Sequence, residues 1–117
     1  MQITRYQVGP RMSKAVAYNQ TVYLAGIVAE APKGKSVAEQ TKDILRQIDG
    51  LLAEAGTDKS RLLSANIWIT DMANFAEMNA VWDAWVSPGN TPARATVEAK
   101  LAAPDYKLEI MVVAAAK

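Results

Sequence analysis

Between Ser36 and Ala55 the apolar positions Val37, Thr41, Ile44, Leu45, Ile48, Leu51, Leu52 and Ala55 recur at three- and four-residue spacing. Such a stripe predicts a helix lying on a flat surface. Ser36-Val37-Ala38-Glu39 reads as a capping box at its start, and Gly56 suits the left-handed turn that stops it. Gly50 lies inside at a cost of about 1 kcal/mol relative to alanine and is expected to mark a close backbone approach. A second helix is predicted from about Asn74 to Val86, with Asp71 or Asn74 as its N-cap. Its stripe of Phe75, Met78, Trp82 and Trp85 is read as core rather than as a ligand cage. The segment Ser87-Pro88-Gly89-Asn90-Thr91-Pro92 cannot continue that helix.

The remaining apolar stretches read as strands. Ala15–Tyr18 and Thr21–Ala25 flank Asn19-Gln20 as a hairpin, and Leu62–Thr70 reads as a largely buried strand. Ala93–Lys100 and Lys107–Ala114, flanking Ala103-Pro104-Asp105, are expected to form a second hairpin. The order β-β-α-β-α-β-β suits an α+β sandwich, one sheet with two helices on one face. Its other face also carries apolar residues, which favours self-association. No repeat or linker divides residues 1–117, so one domain is expected.

Composition narrows the chemistry. Thirteen Lys+Arg against twelve Asp+Glu leave a net charge of +1, too small a field to hold nucleic acid by counterion release. With no cysteine and no histidine, disulfides, a thiolate nucleophile, Cys-ligated zinc, and the commonest general base and metal ligand are all missing. No EF-hand ladder or compact carboxylate cluster points to an oxygen-ligated metal. The N-terminus has no signal-peptide core and no apolar run approaches a membrane span, so the cytoplasm is the expected compartment.

Two residues remain as candidates for chemistry. Strand alternation places Lys107, Glu109, Met111 and Val113 on the face opposite Leu108, Ile110 and Val112. Glu109 is then a solvent-facing strand residue, or a partner of Lys107 or Lys100, or a carboxylate that holds or deprotonates a water. Arg94 follows the proline-rich loop and shares a face with Thr96 and Glu98. A guanidinium there is suited to a planar carboxylate. Counting through a tight hairpin puts Glu98 near Glu109 and Arg94 on the same face as both.

Gly9-Pro10, Val22-Tyr23-Leu24-Ala25-Gly26, Leu51-Leu52-Ala53-Glu54-Ala55-Gly56 and Phe75-Ala76-Glu77-Met78-Asn79 are joined by two more specific segments. These are Pro92-Ala93-Arg94-Ala95-Thr96-Val97-Glu98 and Lys107-Leu108-Glu109-Ile110. In order and spacing, over nearly the whole chain, they resemble the RidA (YjgF-type) reactive intermediate deaminase family. The resemblance implies a chorismate-mutase-like fold, a homotrimer with a central barrel, and clefts between subunits. It further implies hydrolysis of 2-imino acids to 2-oxo acids and ammonia without a cofactor, Arg94 binding the carboxylate and Glu109 positioning the water. By the same match Gly26, Thr96 and the backbone of Arg94-Ala95-Thr96 line the cleft. Arg11 stands where active members commonly have tyrosine, Thr96 where cysteine is frequent, and Ala25 and Ile27 where serine and glutamine flank the glycine. Arg11 is either a second anion contact or solvated, and Arg11 and Ile27 are where a changed substrate is expected to be written. A non-catalytic module binding small carboxylates is the alternative, discriminated by binding without turnover. A ribonuclease fits poorly with the charge and the lack of histidine.

Overall fold

Residues 2–117 are described by a computed structural model. The long apolar stripe becomes α1, Val37–Glu54. Its capping box forms in full, with Glu39 N–H donating to Ser36 Oγ at 3.1 Å and Ser36 N–H to Glu39 Oε1 at 3.0 Å. Gly56 at φ 79° closes the helix; its N–H donates to Ala53 O and that of Thr57 to Leu52 O, the pair of bonds of a Schellman turn. Among the described residues Gly50 has nothing within 4 Å of a Cβ placed on it, so none of them makes the close approach expected there. The second helix, α2, is Phe75–Trp85, entered through a 3-10 turn at Met72–Asn74. Asp71 caps that turn and Asn74 makes no side-chain cap. Met78 and Trp82 are buried, whereas Phe75 and Trp85 pack on the core from half-buried positions.

Six strands, β1 (Thr4–Val8), β2 (Ser13–Tyr18), β3 (Thr21–Leu24), β4 (Leu62–Ile69), β5 (Ala93–Glu98) and β6 (Leu108–Ala115), form one sheet in the order β1-β2-β3-β6-β4-β5. The architecture is α+β, and the first hairpin lies where expected. Strand β1 is an addition: it is a mostly exposed edge with little apolar alternation, and it pairs with β2 through Thr4↔Ala17 and Tyr6↔Ala15.

The second expected hairpin does not form. Strand β5 pairs with β4 in parallel, and β6 lies antiparallel between β3 and β4. The cause is α2. A helix carrying the chain back over the sheet returns it to the end where β4 began, so β5 must run beside β4 in the same direction.

Leu108, Ile110 and Val112 pair with Ile69, Ile67 and Ala65, all buried on the helix side. Ile44, Leu45, Ile48 and Leu52 of α1 close this core together with Met78 and Trp82 of α2. Gln40, fully buried, ties two loops to α1: its Nε2 donates to the carbonyls of Pro32, Lys35 and Asp105, and its Oε1 accepts from Lys107 N–H. In the single protomer the opposite sheet face is uncovered, leaving Tyr18 43%, Tyr23 48% and Val97 50% exposed beside half-buried Trp68, Met111 and Val113.

Candidate functional site

Arg94 sits near the start of β5, an edge strand with no neighbour beyond it among the described residues. In the parallel register Arg94 pairs with Ala65, Thr96 with Ile67 and Glu98 with Ile69, so all three point to the helix side. There the guanidinium carbon of Arg94 stands 5.2 Å from the centroid of Trp82 and 5.9 Å from that of Phe75. A guanidinium resting on aromatic faces keeps its in-plane N–H groups free for a planar anion. Among the described residues Arg94 forms no ion pair. Glu98 is committed elsewhere: its Oε1 accepts from Met72 N–H at 2.9 Å and braces the entry to α2.

Glu109 is half-buried on β6 and pairs with Trp68, on the face turned away from the helices. Its carboxylate lies against Gly26: a Cβ on that glycine would stand 2.9 Å from Glu109 Cδ and nearer still to Oε2. No lysine or arginine pairs with it among the described residues, which removes the expected partnership with Lys107 or Lys100. Ala25 N–H donates to Lys14 O and Ile27 N–H to Ile110 O, leaving Gly26 between two anchored neighbours.

The expectation that Arg94, Glu98 and Glu109 share one face is overturned. Strand β4 intervenes, and Arg94 and Glu109 occupy opposite faces of the sheet. Two strand spacings and a three-residue offset put their backbones on the order of 14 Å apart.

The other candidates fall into distinct places. Arg11 is exposed in the turn joining β1 to β2, where Gly9 N–H donates to Met12 O. Thr96 turns inward beneath α2, its Oγ1 buried without a hydrogen-bond partner. Ile27 is only 1% exposed, and both its backbone groups bond Ile110. Ile27 is thus a core side chain whose N–H and C=O are both bonded to β6. Sequence reading missed that Phe75 and Trp82 form the shelf beneath Arg94. The seven-residue spacing that puts both on one helix face was visible, but not the strand that passes under it. Among the described residues no group of acidic side chains is placed to hold a metal ion. No described helix is long and apolar enough to cross a membrane.

The family model described as Endoribonuclease L-PSP matches residues 4–116. A crystal structure of a YjgF protein family member from Neisseria meningitidis superposes with a TM-score of 0.96 at 50% identity, covering 100% of this chain and 97% of that one. The chain belongs to the YjgF family. Among its YjgF relatives, a RutC family protein of Haemophilus ducreyi is 45% identical over 113 residues, spanning 97% of this chain and 96% of that protein. A more distant one, named Reactive Intermediate Deaminase A, chloroplastic, from Arabidopsis thaliana, is 29% identical over 112 residues, 92% of this chain and 59% of the plant protein. The motif positions Arg94 and Glu109 thus lie in a YjgF chain with one group on each side of its sheet.

Proposed function

We propose that this YjgF protein is a cofactor-independent deaminase of reactive 2-imino acids, acting as a cytoplasmic homotrimer whose sheets line a central barrel. The observation that carries the reading is two charges without an ion-pair partner among the described residues: the Arg94 guanidinium on its aromatic shelf and the Glu109 carboxylate against Gly26. Because they face opposite sides of one sheet, a cleft that uses both takes Arg94 from one protomer and Glu109 from the next. The uncovered face, with Tyr23, Val97, Met111 and Val113, supplies the apolar surface for that assembly. The name carried by the Arabidopsis relative supports the same chemistry.

In this reading the substrate carboxylate docks on Arg94, and Gly26, Thr96 and Arg11 border the cleft. The protonated C=N carbon is already electrophilic. A water held by Glu109 adds to it, giving up its proton to the carboxylate, which returns it to the departing nitrogen. The C–N bond breaks as the hydroxyl of the adduct becomes the carbonyl, and its proton passes to the leaving ammonia, so the products are a 2-oxo acid and ammonium. One water is consumed and no redox change occurs.

The test supplies an imino acid generated in situ by an amino-acid oxidase and follows its loss. Acceleration over buffer that disappears in Arg94→Ala is expected. No acceleration by the parent protein overturns the reading. Carboxylate binding without turnover establishes the binding module instead.

A further inference from the structure

Two buried side-chain atoms lack a hydrogen-bond partner among the described residues: Asn79 Oδ1 and Thr96 Oγ1. Native interiors leave few such groups, and each calls for an explanation. Asn79 lies on α2 and Thr96 on β5, the two elements that Arg94 joins through Phe75 and Trp82. Asn79 lies four residues after Phe75 and three before Trp82, so the helical repeat sets it between the two rings that carry Arg94. Thr96 follows Arg94 by two positions on the same face of β5. The stripe under the guanidinium is therefore ring, amide, ring, and the amide presents an unused acceptor.

An acceptor buried at this spot would be unfavourable if it only filled space. An apolar side chain of similar size would spare the desolvation of an unpaired carbonyl. Arg94 meanwhile carries five N–H donors and gives none of them to a described residue. Donor surplus and acceptor surplus meet across one helix–strand contact.

We propose that Asn79 is a positioning residue for Arg94. When a carboxylate engages the outer edge of the guanidinium, the inner edge donates to Asn79 Oδ1, which fixes the rotation of the fork on its aromatic shelf. Asn79 touches no substrate and acts through Arg94. The inference rests on the deaminase reading in that it takes Arg94 as the carboxylate receptor. It adds the group that orients this receptor.

The experiment measures binding of 2-oxobutanoate by calorimetry, turnover of the corresponding imino acid, and thermal unfolding, in the parent, Arg94→Ala, Asn79→Leu and Asn79→Ala. Expected for Asn79→Leu is a loss of binding of about tenfold, seen in Kd and KM with kcat little changed, and a melting temperature equal to or above that of the parent. Asn79→Ala keeps the test decisive if leucine does not fit, with the same loss in KM. A parent and an Asn79→Leu variant that bind alike, while Arg94→Ala loses binding, overturn this inference and leave the deaminase reading standing. A parent that neither binds nor turns over overturns both. Loss of stability in both Asn79 variants with unchanged KM assigns Asn79 to packing and also overturns it.

Discussion

The guanidinium carbon of Arg94 lies 5.2 Å above the ring of Trp82, a residue that is itself part of the hydrophobic core. The cation is thereby tied to the packing of α2 on the sheet while its hydrogen-bonding edge stays free. Arg94→Lys keeps the charge but loses the planar stack and the two-pronged geometry. Its expected effect is a loss of carboxylate affinity of about tenfold or more, from one charge-assisted bond lost. The melting temperature should stay close to that of the parent, because Arg94 is exposed.

Gly26→Ala tests the other half of the cleft. The new Cβ would collide with the Glu109 carboxyl, the movable end of a side chain, so the fold can yield by swinging Glu109 aside. A displacement on the scale of 1 Å at a reacting group costs about 100-fold in rate. Turnover should fall by about that factor while denaturant unfolding changes by under about 1 kcal/mol. Retained turnover would show that Glu109 does not handle the water.

Assembly and activity are expected to fail together. Val113→Lys puts a charge on the uncovered face, beside Tyr23 and Ser64 in the strand register. Size-exclusion chromatography with light scattering should find the parent at about three times the 12.7 kDa chain mass and the variant at the monomer mass. The separated monomer should be folded and inactive. An active monomer would sink the shared cleft.

Gln40 is a structural counterpart to these site variants. Gln40→Ala strips partners from the carbonyls of Pro32, Lys35 and Asp105 and from Lys107 N–H, inside or at the edge of the core. Unsatisfied buried groups cost about 1–3 kcal/mol each, and water reaching some of them reduces the sum. A destabilisation of about 3 kcal/mol in urea is expected, with carboxylate affinity nearly unchanged.

A pH dependence of stability follows from Asp58. The Lys117 ammonium, the Ser60 hydroxyl and the Ser60 N–H hold its carboxyl far below the ordinary value of 3.8. A carboxylate with a depressed folded-state pKa contributes stability above its unfolded value, and that contribution disappears as the pH falls toward the folded one. Acid titration of the parent should therefore lose stability below about pH 4 more steeply than Asp58→Asn. Water reaches both side chains of the pair and keeps the difference small, and added salt should shrink it.

Helix α1 was legible to the residue because everything that makes it is local: the apolar stripe, the Ser36–Glu39 box and the Gly56 turn act within a few positions of one another. Arg94 and Glu109 were legible as candidates through their motifs. Their relation was not. Strand β1 escaped because an exposed edge needs no apolar alternation, and the final hairpin was misread because a hairpin and a crossover leave the same alternation in each strand.

The sequence by itself determined both helices, five of the six strands, the two-sided alternation of β6 and the absence of thiol and imidazole chemistry, since these depend on residue type and short-range periodicity. Only the tertiary structure decided which strands are neighbours, and with it that Arg94 and Glu109 look to opposite sides of the sheet. The reason is that strand partners are chosen by long-range packing: α2 must cross the core to bury Met78 and Trp82, and that crossing sets β5 parallel to β4 and leaves β6 on the inner side.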